Sequence, residues 1–89
     1  MLAAMNRRYR REDIGMNLFD MQNEDDRKSL MEIARRVHEI ETTDDTFQKV
    51  RLIDAVDAAS NRGDLLATCV LCVLTGARTL RDLGFEPVN

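Results

Sequence analysis

The sequence contains little of what builds sheets, disulfide-bonded scaffolds or membrane spans. Its 89 residues include one proline, four glycines, two cysteines and no tryptophan. Scarce proline and glycine, beside plentiful alanine, leucine and arginine, favour helices over a sheet with many turns. Two cysteines are too few for a disulfide-stapled secreted domain, so a reducing, cytoplasmic environment is expected. The longest apolar run, 65–74, is half of the roughly 20 residues that cross a bilayer, so no membrane span is expected.

Charge is distributed unevenly along the chain. Four arginines between Arg7 and Arg11 precede Glu12, and the remaining 9 cationic and 16 anionic side chains leave that part at −7. An acidic body repels nucleic acid over most of its surface, whereas the arginines alone could attract phosphate or an acidic partner. Residues 1–22 show no sustained periodicity, so we expect a flexible basic arm there and a helical interaction domain over 23–89.

The first helix signal follows directly after the arm. Asn23 stands before three acidic residues, which is typical of an N-cap and the first turn of a helix. Two ion pairs are expected on the outer side of this helix: Glu32 with Arg36 and Arg35 with Glu39. Its apolar positions recur at helical spacing and predict the buried face: Leu30, Ile33, Ala34, Val37 and Ile40.

The second helix signal completes a predicted helical hairpin. Asp44 and Asp45 repeat the start pattern and predict a helix that continues to Asn61. Gly63 suits the left-handed backbone that ends a helix, and Asp64 suits the cap of the next one. The expected apolar stripe contains Phe47, Val50, Ile53 and Val56, widened by Leu52, Ala55 and Ala59.

The third predicted helix, Leu65–Leu83, is the most apolar segment of the chain. Gly84 and Pro87 end it, and Phe85 is placed to fold back on its last turn. One side of this helix carries a coiled-coil seam, and the other side is also lined by apolar or small residues. A chain of this size is not expected to cover both apolar sides. A strand over 67–74 is the alternative, although it has no second strand to pair with. The residues expected to contact a partner helix are Leu66, Val70, Val73, Leu74, Ala77 and Leu80.

Every candidate reactive group has a structural interpretation that we favour. Cys69 and Cys72 form a C-x-x-C on one helix face, but zinc needs about four ligands and a redox site needs a βαβ unit, so buried thiols are predicted. His38 has no convergent nucleophile or acid, and the acidic clusters at 24–26 and 44–45 lie where helices begin. No phosphate-binding, nucleophile-elbow or zinc-protease motif occurs. We therefore expect no catalytic residue, metal or cofactor, and a protein that is not an enzyme.

A small nucleic-acid-binding regulator remains the alternative function. The Arg7–Arg11 segment includes Tyr9, which offers a ring for stacking beside its charge. The 75–83 segment could form a helix-turn-helix with the apolar helix before it. That segment offers few of the polar groups that a recognition helix uses to contact bases, so direct DNA binding is disfavoured.

The chain closes on Thr-Leu-x-x-Leu-Gly-Phe-x-Pro over 79–87, the most specific part of a wider pattern. Its other members are Ile14, Gly15, Ile33, Glu41, Asp44 and Phe47. Over about three quarters of the chain, this pattern resembles the TraM-type quorum-sensing anti-activators of rhizobial and agrobacterial conjugative elements and their smaller QseM-like counterparts. The resemblance implies a helical protein that binds a LuxR-type transcriptional activator and keeps it from switching on transfer genes. Self-association of the third helix into a homodimer is a further possibility.

Overall fold

The fold of this chain is described by a computed structural model that covers residues 17–86. Within that range there are four helices and no strand: α1 (Glu24–Thr42), α2 (Thr46–Asn61), α3 (Leu65–Leu74) and α4 (Leu80–Leu83). The predicted all-α class is confirmed there, and the alternative strand over 67–74 is wrong. None of the helices in 17–86 has the length and apolar character needed to cross a membrane. The arginines of the predicted arm, and Pro87, lie outside the described residues.

The three longer helices begin at the predicted caps. The Asn23 side chain accepts a hydrogen bond from the amide of Asp26 at 3.0 Å. The Asp64 carboxylate accepts one from the amide of Ala67 at 3.2 Å. Asp45 caps α2 in the same way, so the acidic residues at helix starts satisfy backbone donors that would otherwise lack partners.

The turn between α2 and α3 has the predicted glycine stop. Gly63 adopts φ +93°, and its amide donates to the carbonyl of Ser60 at 2.9 Å. The next amide, of Asp64, reaches back to the carbonyl of Ala59 at 3.1 Å, which completes a Schellman motif. The buried hydroxyls of Ser60 and Thr68 lie 2.7 Å apart, so a hydrogen bond also ties the two helices together.

The hydrophobic core forms where α3 packs against both α1 and α2. The predicted face of α1 is confirmed, because its Leu30 and Ile33 have no exposed surface and Val37 and Ile40 have almost none. From α3, the core receives two cysteines and one valine with 0% exposure. The buried members of this core are Phe19, Leu30, Ile33, Val37, Ile40, Cys69, Val70, Cys72 and Leu83.

The prediction of one helix over Leu65–Leu83 is wrong, because α3 ends at Leu74. The Thr75 hydroxyl donates to the carbonyl of Leu71 at 2.8 Å and so competes for the acceptors of the last turn. Gly76 then adopts φ +81°, a left-handed conformation that stops a helix at low cost for glycine. The apolar spacing continues through this point in the sequence, but the helix does not.

The last apolar residues of the predicted third helix lie in α4, a single helical turn with its own N-cap and its own C-terminal glycine. Thr79 and Asp82 make a reciprocal capping box, each side chain bonding the other's amide at 3.0 Å. Gly84 adopts φ +116°, and the Phe85 amide donates to the Leu80 carbonyl at 3.0 Å. The predicted stop at Gly84 and the fold-back of Phe85 are therefore confirmed.

Residues 17–22, which we call the strap, lie against α4. The Phe19 amide donates to the Leu83 carbonyl at 2.9 Å, and the Phe19 side chain is 8% exposed. A Cβ placed on Gly84 would overlap the Phe19 carbonyl oxygen, so only glycine permits this backbone approach. The predicted arm boundary at residue 22 is wrong for this part, because Phe19 belongs to the core.

Candidate protein-binding surfaces

Of the six residues predicted to contact a partner, one belongs to the buried core, four pack against it while partly buried, and one is exposed. Val70 has no exposed surface, which excludes it from direct contact with a partner while the domain stays folded. Ala77 is exposed, but it lies in the turn after α3 and not on a helix. The other four are partly buried and pack against the core: Leu66, Val73, Leu74 and Leu80. The six residues do not lie along one helix, because α3 ends at Leu74, and contact of the partly buried four with a partner stays a prediction.

The two cysteines are buried thiols, as predicted. Cys69 and Cys72 both have 0% exposure. Burial, helped by the nearby Cys72 and Asp64, raises the pKa of Cys69 to about 12. The thiolate that metal binding or nucleophilic attack requires is therefore suppressed. Within residues 17–86, no group of three or more histidine, cysteine or acidic side chains is placed to hold a metal ion.

An ion-pair cluster covers the outer side of α1, and both predicted pairs occur in it. The Glu32 carboxylate accepts from the Arg35 guanidinium at 2.9 and 3.0 Å and from Arg36 Nε at 2.8 Å. Hydrogen bonds from Arg35 and then Arg36 lower the pKa of Glu32 from 4.5 to about 2. Glu39 lies 4.0 Å from Arg35 and extends the cluster towards the end of the helix.

A groove of about 210 Å³ runs between α1 and α2, beside this cluster. Its α1 side consists of the charged Arg35, Arg36 and Glu39 with the buried Ile40 beneath them. Its α2 side is wholly apolar: Leu52, Ala55, Val56 and Ala59. An apolar floor with a charged rim suits a partner helix that inserts one or two apolar side chains and pairs polar groups at the edge.

The first turns of α2 carry two exposed large apolar side chains. Phe47 is 71% exposed and Val50 is 50% exposed, although both belong to the predicted apolar stripe of this helix. Only the later part of that stripe is confirmed, since Ile53 and Val56 pack against the core. Helix α3 has ten residues and is about 15 Å long, whereas α2 has sixteen and is about 24 Å long. Because α3 starts beside the end of α2, it stops short of Phe47.

The described residues are acidic as a whole. The helix-turn-helix considered for nucleic-acid binding over 75–83 also lacks a recognition helix in this structure. They carry nine lysine or arginine and 14 aspartate or glutamate side chains. Helix α4 has four residues, about one turn, and is too short to lie along a major groove. The arginines between residues 7 and 11, the other basis for that alternative, lie outside the described residues.

No family model, curated protein or solved structure matches the chain.

Proposed function

We propose that this chain is an anti-activator, which binds a LuxR-type transcriptional activator and blocks its activation of transfer genes. The observation that carries the proposal is the groove between α1 and α2, with its apolar floor and charged rim. The kind of activator comes from the resemblance of the closing motif, 79–87, and of Ile33, Asp44 and Phe47 to the anti-activator pattern. The role is one of binding, without catalysis.

We assign the contact with a partner helix to this groove, whereas the sequence alone predicts that contact on the third helix. Its floor combines alanines with leucine and valine, so a partner helix can approach the backbone closely at Ala55 and Ala59. The rim is held by hydrogen bonds within α1, because Glu32 fixes both Arg35 and Arg36. A rim that is already ordered loses little side-chain entropy when a partner binds.

Neighbouring alanines on α2 provide a matched test of the groove. We expect Ala59→Glu to weaken binding to a purified LuxR-type activator at least tenfold, because its side chain fills the floor. Ala58→Glu makes the same chemical change one residue away, at an exposed position that does not line the groove, and should bind within about twofold of the unchanged chain. Affinity is measured by calorimetric titration, with far-UV circular dichroism to confirm that both variants fold.

Function is tested in a cell that carries the activator and a reporter gene under its promoter. Co-expression of the unchanged chain should lower reporter output, and Ala59→Glu should restore it. A chain that leaves the reporter unchanged and shows no heat of binding to the activator would contradict the proposal. Equal loss of binding in Ala58→Glu and Ala59→Glu would contradict the assignment to the groove.

A further inference from the structure

The charge at the rim of the groove comes from α1. Three charged residues line the groove, Arg35, Arg36 and Glu39, whereas its lining residues from α2 are all apolar. Two cations and one anion give this rim a net charge of +1. The described residues as a whole are acidic, with nine cationic and 14 anionic side chains. A cationic rim on an acidic body favours the approach of an anionic group at the groove.

Arg36 is the rim cation that is oriented and still able to donate hydrogen bonds. Its Nε donates to Glu32 at 2.8 Å, and Glu32 is its only ion-pair partner within residues 17–86. A guanidinium has five N–H groups, so the four on the terminal nitrogens of Arg36 are available to a ligand. Arg35 differs, because both its Nε and a terminal nitrogen donate to Glu32, and its other terminal nitrogen lies 4.0 Å from Glu39.

The size of the groove suits one large apolar side chain. Its volume of about 210 Å³ is below the roughly 300 to 1,000 Å³ of pockets that enclose small-molecule ligands. Leu52, Val56 and the buried Ile40 offer apolar surface to a leucine or phenylalanine of a partner helix. Residues three or four positions apart share one face of a helix. An apolar anchor and a carboxylate at that spacing can therefore meet the floor and Arg36 together.

We propose that the groove selects a partner helix with an aspartate or glutamate three or four residues from its apolar anchor, and that Arg36 receives this carboxylate. Two parallel hydrogen bonds from a guanidinium to a carboxylate give this contact its geometry. Because Glu32 already orients Arg36, little side-chain entropy is lost when the partner binds. This selection deepens the proposed function and rests on the groove as its contact site.

Two synthetic helical peptides test the selection. Each is an alanine-rich helix of about 20 residues with one phenylalanine, and it carries either glutamate or lysine about four positions from that phenylalanine. Each is titrated into the full, isotope-labelled chain, and the amide shifts of Glu39, Ala55 and Ala59 are followed by NMR. A single anchor is expected to give a Kd on the order of 1 mM. The glutamate peptide should bind at least about fivefold more tightly than the lysine peptide.

Variants of Arg36 separate the effect of charge from that of folding. Arg36→Gln removes the cation without placing a second anion beside Glu32, and it should bring the two peptides to within about twofold of each other. Arg36→Glu should reverse the preference, towards the lysine peptide. Arg27→Glu makes the same charge reversal at an exposed position of α1 outside the groove, and it should keep the preference for glutamate. Far-UV circular dichroism confirms that each variant is folded.

Equal affinity of the unchanged chain for the two peptides would overturn the proposal. So would the absence of shifts at the groove with about 5 mM of either peptide, or a preference for glutamate that survives in Arg36→Gln. Binding of the LuxR-type activator tests the proposed function separately. Activator binding that is lost in Ala59→Glu but unaffected by Arg36→Gln would support the anti-activator role and reject selection by Arg36. A preference for the glutamate peptide in a chain that does not bind the activator would do the reverse.

Discussion

Helices α2 and α3 differ in how far their apolar residues are buried. In α3, half of the ten residues are buried, because α1 covers one side and α2 another. In α2, only Ser60 of the sixteen residues is buried, Phe47 is mostly exposed and Val50 is half-exposed. The helix richest in apolar residues therefore forms the core. Its longer neighbour, with a moderate apolar content, keeps most of its side chains at least partly exposed.

The difference in burial follows from the direction in which each side chain points. Ile53 and Val56 face the core and pack against it. At about 100° per residue, Phe47 lies on the opposite side of α2 from Val56. Ala58 shares the side of Phe47 and is also exposed, although it lies at the end of α2 that α3 adjoins.

The largest expected effect compares one substitution in the two helices. Val70→Asp places a charge in the core without a partner and should cost about 4 kcal/mol or more, enough to unfold most of a domain this small. Val50→Asp changes a half-exposed valine and should alter the free energy of unfolding by less than about 0.5 kcal/mol. Urea denaturation monitored by circular dichroism measures both. Similar losses in the two variants would show that α2 and α3 do not differ in burial.

The second comparison uses two glycines that both have positive φ. Gly84→Ala should cost about 2 to 3 kcal/mol, because its Cβ would collide with the Phe19 carbonyl and push the strap away. Gly76→Ala has nothing within 4 Å of its Cβ and should cost about 1 kcal/mol, from backbone conformation alone. Urea unfolding gives both values, and loss of protection of the Phe19 amide against hydrogen exchange should occur only in Gly84→Ala.

The smallest effect concerns the ion-pair cluster on α1. The pKa of Glu32 in the folded chain is about 2, below its ordinary value of 4.5. The contribution of the cluster to stability is therefore complete above about pH 4.5 and is lost as the pH falls towards 2. Thermal melts should show that Glu32→Gln lowers the melting temperature slightly at pH 6, by an amount that shrinks as the pH falls to 2. A difference that grows in acid would contradict this assignment.

Much of the fold could be predicted from local signals in the sequence. The caps at Asn23, Asp45 and Asp64 and the stops at Gly63 and Gly84 are set by residues within a few positions of each helix end. The buried face of α1 is equally predictable, because its apolar residues recur at a regular helical spacing that has a single interpretation. These features require no knowledge of how the helices are arranged in space.

The candidate surfaces could not be predicted in the same way. The seam through Val70 and Ala77 has regular spacing, but Thr75 and Gly76 end the helix, and the arrangement of α1 and α2 decides what α3 can expose. The same arrangement leaves Phe47 open and creates the groove beside Ile40. Gly76 is the local signal for the break in the seam, because glycine suits the left-handed backbone that ends a helix.

We propose that partners bind to α2, whereas α3 forms the core of the domain. Amide chemical-shift mapping by NMR, during titration with a LuxR-type activator, distinguishes these two roles. We expect the amides of Ala55 and Ala59 on α2 and Glu39 on α1 to shift or broaden, while those of Cys69 and Val70 stay unchanged. Shifts concentrated on α3, with the groove amides unaffected, would contradict it.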